Sequence, residues 1–308
     1  MSAPAALTAV GAFGLAVVNG LAPAVAYAFV LGIGWGGMVF GLTTAIASFP
    51  GGRTRKLNEW SAGLGIGAAV APILDAVAGG YRVPLLAAGA ICCLALIPLA
   101  GVRQELPIPK SGARWSAVPR PNRAQLGFGL LFACYAAAEA GVSNWSATEL
   151  VRGDGWTPHT AAWGTAPFWT AMTVGRLTSA RLSRFYRPAD LVVGSLALAV
   201  FVTPLIGVHN AAVVVLAYSL VGLVFAPVFP TAWAWMTSAF GGTANVALLC
   251  FGFDMAGALA ASVLVGPFVS GSDTTAIVVL PAVAVLGAII TAVLLRARHR
   301  VSHRPKAA

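Results

Sequence analysis

Apolar residues come in long unbroken runs along almost the whole chain, separated by short polar breaks. The runs are Ala5 to Leu21, Ala24 to Phe49, Trp60 to Val77, Val83 to Val102, Gln125 to Trp145, Ala161 to Arg181, Leu191 to Val208, Val213 to Phe240, Ala244 to Val269 and Ala276 to Arg296. Each is near the roughly 20 apolar residues that one helix needs to cross a bilayer. They are continuous rather than alternating, which excludes a β-barrel. The pattern predicts an all-α, polytopic membrane helical bundle of ten transmembrane helices.

The polar breaks differ sharply in charge. On one side of the zigzag lie Arg53, Arg55 and Lys56; Arg103, Lys110, Arg114, Arg120 and Arg123; Arg176, Arg181, Arg184 and Arg187; and Arg296, Arg298, Arg300, Arg304 and Lys306. The other side holds only Arg82 and Arg152 of the 19 Lys and Arg. Short loops rich in Lys and Arg stay cytoplasmic because their translocation is disfavoured. Both termini are therefore expected in the cytoplasm of a multi-pass protein of the cell membrane.

Composition agrees with a lipid-embedded chain. It is 58% hydrophobic and 9% charged, with a mean hydropathy of +0.85, too little charge to dress a water-facing surface. The net charge of +10 does not call for nucleic acid, since the basic residues sit in the loops that orient the helices and meet anionic lipid. Cys92, Cys93, Cys134 and Cys250 lie inside apolar runs and read as small buried side chains, not as a disulfide or metal framework. The first run has no basic residue before it and is followed by another span, so it reads as a span and not as a cleavable leader.

One break stands apart: Gly101 to Asn122 carries Pro107, Pro109, Pro119 and Pro121 among Arg, Lys and Ser. It is read as a cytoplasmic linker, 101–122, between a four-span bundle, 1–100, and a six-span bundle with a basic tail, 123–308. The two bundles read as pseudo-repeats. The third span has Gly63, Gly65 and Gly67 before Pro72, and the ninth has Gly252, Gly257 and Gly266 before Pro267. Small residues at such spacing let helix backbones approach closely.

These residues resemble the major facilitator superfamily of secondary transporters, in particular its fucose permease-like sugar:proton symporters. Leu57 to Pro72, with Asn58, Ser61 and the glycines, is similar to that family's fifth helix, and Tyr81-Arg82 stands at the start of its sixth. Tyr135 to Glu139 followed by Asn144-Trp145 is similar to the seventh. Phe168-Trp169, Gly175-Arg176-Leu177 and the following arginines look like the eighth helix and its basic loop, and Ala226-Pro227 with Pro230-Thr231 like the tenth. The resemblance implies that the ten spans match helices three to twelve of a twelve-helix protein. It also implies alternating access by two bundles about a site near the midplane.

Charges within spans are costly at the bilayer centre and are functional candidates by default. Glu139 and Asp254 lie near the middle of their runs, whereas Asp75 is within a turn of an outer end. The candidate solute-binding or proton-coupling set is Glu139, Asp254, Asn144, Trp169 and Tyr135, the tyrosine being one turn from Glu139 on the same face. Arg176, which can snorkel to the cytoplasmic surface, is read with Arg181 and Arg184 as an inward gate brace, and Pro227 and Pro230 as helix breakers whose freed carbonyls need partners. Trp233 lies deep enough either to stack on a sugar or to pack.

His159 and His209 show no ligand spacing, and no enzyme, metal or cofactor signature is present. The expected function is proton-coupled secondary transport of a small, sugar-like solute by a monomer, its partners being the solute, protons and lipid. Proton-driven export of hydrophobic compounds is the alternative within transport. A truncated, non-transporting bundle is the alternative outside it.

Overall fold

The computed structural model describes residues 2–49, 51–101, 120–208, 210–269 and 273–302, the side chains of 99–101, 162, 211 and 299–302 excepted. Most of the linker, His209 and the end of the basic tail lie outside the described residues. Among the described residues there are eleven α-helices: α1 (Ser2–Val17), α2 (Leu21–Ser48), α3 (Arg53–Ala78), α4 (Arg82–Gly101), α5 (Arg123–Arg152), α6 (Pro158–Leu182), α7 (Pro188–Val202), α8 (Ala211–Phe225), α9 (Val228–Phe240), α10 (Ala244–Val265) and α11 (Thr275–Ser302). The eighth apolar run is divided between α8 and α9. Seven segments are long and apolar enough to cross a membrane: α2, α3, α5, α7 with its 3-10 extension to Gly207, α8 with α9, α10 with its extension to Phe268, and α11. The first helix and Arg82–Pro98 are shorter apolar helices.

Helix ends follow local chemistry. Asn122 opens α5 by accepting from the Ala124 and Gln125 N–H groups, while the Gln125 side chain accepts from the Asn122 N–H, a reciprocal capping box. Thr157 caps α6 ahead of Pro158 at its first position, and the Asn210 side chain caps α8. Such caps occupy amide hydrogens that have no partner inside the helix.

The large apolar side chains face outward as often as inward. Leu21, Phe29 and Phe201 are exposed by 82%, 70% and 75%, which would be untenable in water but suits a surface bathed in acyl chains. The packed centre instead lies around α5, α6, α8 and α9, where Phe132, Tyr135, Phe168, Tyr218, Phe225 and Trp233 are fully buried.

Helices α5 and α10 pack along much of their lengths, as do α3 and α6, α1 and α2, and α5 and α11. Where α5 crosses α10, a Cβ on Gly257 would run into the Ala133 carbonyl oxygen, so hydrogen alone fits. In lipid this close approach takes the place of a hydrophobic driving force between helices.

Gly257→Ala is expected to destabilise the bundle by roughly 2 kcal/mol or more through this backbone clash. Gly252→Ala, with nothing within 4 Å of the added carbon, should be neutral or slightly stabilising. Thermal unfolding of both variants in one detergent checks the pair; equal midpoints would refute the close-approach account.

Candidate functional site

The residues that meet in the middle of the bundle come from α5, α6, α8, α9 and α10. Asp254 lies ten residues into α10, roughly 15 Å from its N-terminal end, and Tyr135 and Glu139 lie roughly 18 and 24 Å into α5. The Tyr135 hydroxyl donates to the Phe225 carbonyl at 3.1 Å, one helical turn from Glu139 on the same face of α5. Glu139 is near enough to Asp254 for the two carboxyls to interact electrostatically. Tyr135 likewise feels the charges of Arg176 and Asp254.

Burial separates the two acids. Asp254 is 6% exposed, and its Oδ1 has no hydrogen-bond partner among the described residues; Glu139 is only partly covered. Low-dielectric surroundings make an unsatisfied carboxyl oxygen costly, which sets Asp254 apart from the partly covered Glu139.

Phe225 ends α8 at the break. Pro227 and Pro230 carry no N–H, so the Leu223 and Ala226 carbonyls lack the donors that a continuous helix would supply. The Tyr135 hydroxyl reaches the Phe225 carbonyl between these two, beside the break.

Below the acids is an aromatic floor. Trp233 of α9 is surrounded by Phe132 and Phe229 at 5.7 Å and by Phe40 and Phe251 at 6.4 Å between ring centroids. Rings from α2, α5, α9 and α10 thus meet, and Trp233 is spent on packing. The floor lies roughly 10 to 16 Å from the helix ends at Ser48, Arg123, Phe240 and Ala244.

Further toward these helix ends, α3 is tied to the second half of the chain. The Arg176 guanidinium, 5% exposed, turns inward and donates to the Ser61 carbonyl at 2.7 Å; it does not snorkel to the surface. Asn58, fully buried, donates to Thr231 Oγ1 at 3.1 Å, and Arg53 donates to Ser238 Oγ at 3.0 Å. Gly65 allows this approach, since a Cβ there would meet Thr173 Oγ1.

The remaining expected site residues are less covered than Asp254 and Tyr135. Asn144 is exposed and donates to Ser262 Oγ at 3.1 Å. Trp169 is partly buried, edge-on to Phe168 with 5.0 Å between centroids. Arg181 and Arg184 are exposed and tie no helices together among the described residues.

Sequence reasoning missed Asn58, Ser61 and Thr231 as cross-links, and Glu149 altogether. Glu149 is fully buried beside the Tyr218 hydroxyl, 3.4 Å away. The apolar spacing that continues through Leu150 and Val151 to the observed helix end at Arg152 was the available signal for it.

No family model and no curated protein matches the sequence. Solved structures do match it in three dimensions. A major facilitator superfamily transporter, FucP, captured in the outward conformation, superposes with a TM-score of 0.74 at 14% identity, covering 96% of this chain and 82% of that one. A point variant of the Escherichia coli fucose:proton symporter FucP gives 0.74 at 15% identity with the same coverage. The chain has the major facilitator fold. The human organic anion transporter MFSD10 (TETRAN) shares it with a TM-score of 0.72 at 16% identity, over 95% of this chain and 75% of its own.

Tyr135→Phe keeps the ring against Phe225 but leaves the Phe225 carbonyl without this donor. A loss of about 1 to 2 kcal/mol is expected, the usual cost of an orphaned buried acceptor. Denaturation in detergent measures it, and a variant as stable as the parent would show that the hydroxyl braces nothing.

Proposed function

We propose that the protein is a secondary transporter of a small polar solute, proton-coupled and working by alternating access. Supporting this is the set of the partly covered Glu139 and the buried Asp254, Tyr135 and Arg176, the first three above an aromatic floor and Arg176 among the ties that close the cytoplasmic side. With both acids ionised and Arg176 charged, the set carries one net negative charge; a single proton makes it neutral. A neutral set can be exposed to either side in turn without stranding charge in hydrocarbon, and that is the physical requirement of a proton-coupled cycle.

In this reading ten helices are threaded with both ends in the cytoplasm of the cell membrane. Residues 1–100 and 123–308 form two bundles that rock about the site, joined by 101–122, in a monomer. Asn144 and Trp169 contribute polar and stacking wall, and Arg176 holds the inner gate shut. The closed cytoplasmic side corresponds to an outward-facing state, and the outward conformation of FucP supports that assignment. Fucose and related monosaccharides head the panel of solutes because the E. coli neighbour is a fucose:proton symporter.

In proteoliposomes with an internal pH dye, one of these sugars is expected to drive proton entry. Glu139→Gln and Asp254→Asn should each lower the coupled flux about tenfold or more. Flux unchanged in both variants would remove these acids from the mechanism. A sugar-independent proton leak driven by hydrophobic cations would favour an exporter.

A further inference from the structure

Arg181 and Arg184 have the residue type of a brace yet reach no acid. They line a cleft of about 120 Å³ with Arg55, Glu59, Leu177 and Ala180. On α6 the positions 177, 180, 181 and 184 form one stripe that runs on past the helix end at Leu182, and on α3 the positions 55 and 59 are one turn apart. The cleft is thus a seam between α3 and α6, the two helices that carry the Ser61–Arg176 tie.

Its charge is unbalanced. Glu59 is held by Arg55 at 2.6 Å, both side chains about half exposed. Neither Arg181 nor Arg184 has a carboxylate partner or any other polar partner among the described residues. Two guanidinium groups, each a planar fork of donors suited to a phosphate or carboxylate, therefore face a small concavity that contains one neutralised acid. Beside it the chain turns outward with Phe185 and Tyr186, 81% and 55% exposed, and Leu177 is 43% exposed. Exposed aromatic rings at a helix end are the usual anchors at the membrane–water boundary.

We propose that this cleft is a binding site for the phosphate of an anionic phospholipid headgroup in the cytoplasmic leaflet. Arg181 and Arg184 grip the phosphate, Arg55 lies at the rim, and the acyl chains lie along Leu177 and Phe185. A basic pocket between helices on the cytoplasmic side is the setting in which such headgroups are held. Because the walls come from α3 and α6, a bound headgroup bridges them and favours the conformation in which their cytoplasmic ends are together. The inference rests on the orientation set by the basic loops and not on transport.

The full chain, purified in neutral detergent, is offered phosphatidylglycerol and phosphatidylcholine together, and native mass spectrometry counts the retained lipid. Phosphatidylglycerol should be kept in preference, and Arg181→Gln with Arg184→Gln should weaken its retention roughly fivefold per arginine. Glu59→Gln keeps all three arginines, frees Arg55 and should tighten retention, so the idea stays testable should the double variant fold poorly. Equal retention of the two lipids, an unaffected double variant or weaker binding by Glu59→Gln would each overturn the site. Displacement of the lipid by millimolar inorganic phosphate would assign the cleft to a soluble anion and overturn the lipid reading.

Discussion

A guanidinium buried between two helices inside a bilayer needs acceptors, and one end of the bundle is arranged around that requirement. Arg176 meets it in part through the Ser61 carbonyl on α3, its Nε having no partner among the described residues, so α6 and α3 cannot separate without taking away an acceptor that the charge already needs. A hydrogen bond to a charged group contributes about 1.5 to 3 kcal/mol, more than the neighbouring neutral contacts supply one by one. The bonds from Asn58 to Thr231 and from Arg53 to Ser238 extend the seam toward the helix ends. Any opening on that side must supply the arginine with water or a new acceptor at the moment α3 leaves.

Above the seam, polar and aromatic layers alternate with depth. The rings around Trp233 exclude water from below, and this exclusion gives the carboxyls above them their leverage, since interactions between charges strengthen as the local dielectric falls. The broken helix belongs to the same arrangement. Its missing amide hydrogens leave the Leu223 and Ala226 carbonyls without helical donors, and Tyr135 holds the Phe225 carbonyl between them.

The sequence made the helices legible because the bilayer requires a span to be long and apolar. The interruption at Pro227 and Pro230 was legible from covalent chemistry alone. Depth along a helix was readable, which brought out Glu139 and Asp254. Azimuth and reach were not. Nothing in the run around Arg176 says that its side chain turns to Ser61 instead of snorkelling, since that depends on how near Gly65 lets α3 approach. Glu149 was missed because α5 continues beyond the last strongly apolar stretch to Arg152. Trp233 was left open between stacking and packing, and only its surrounding rings decide it.

A phenol has one hydrogen. In the arrangement described, Tyr135 gives it to the Phe225 carbonyl at the break between α8 and α9, so it has no second hydrogen for the Glu139 carboxyl one turn along α5. A phenol that turned to the acid would release that carbonyl. One rotor thereby couples an acid of α5 to the stiffness of the broken helix.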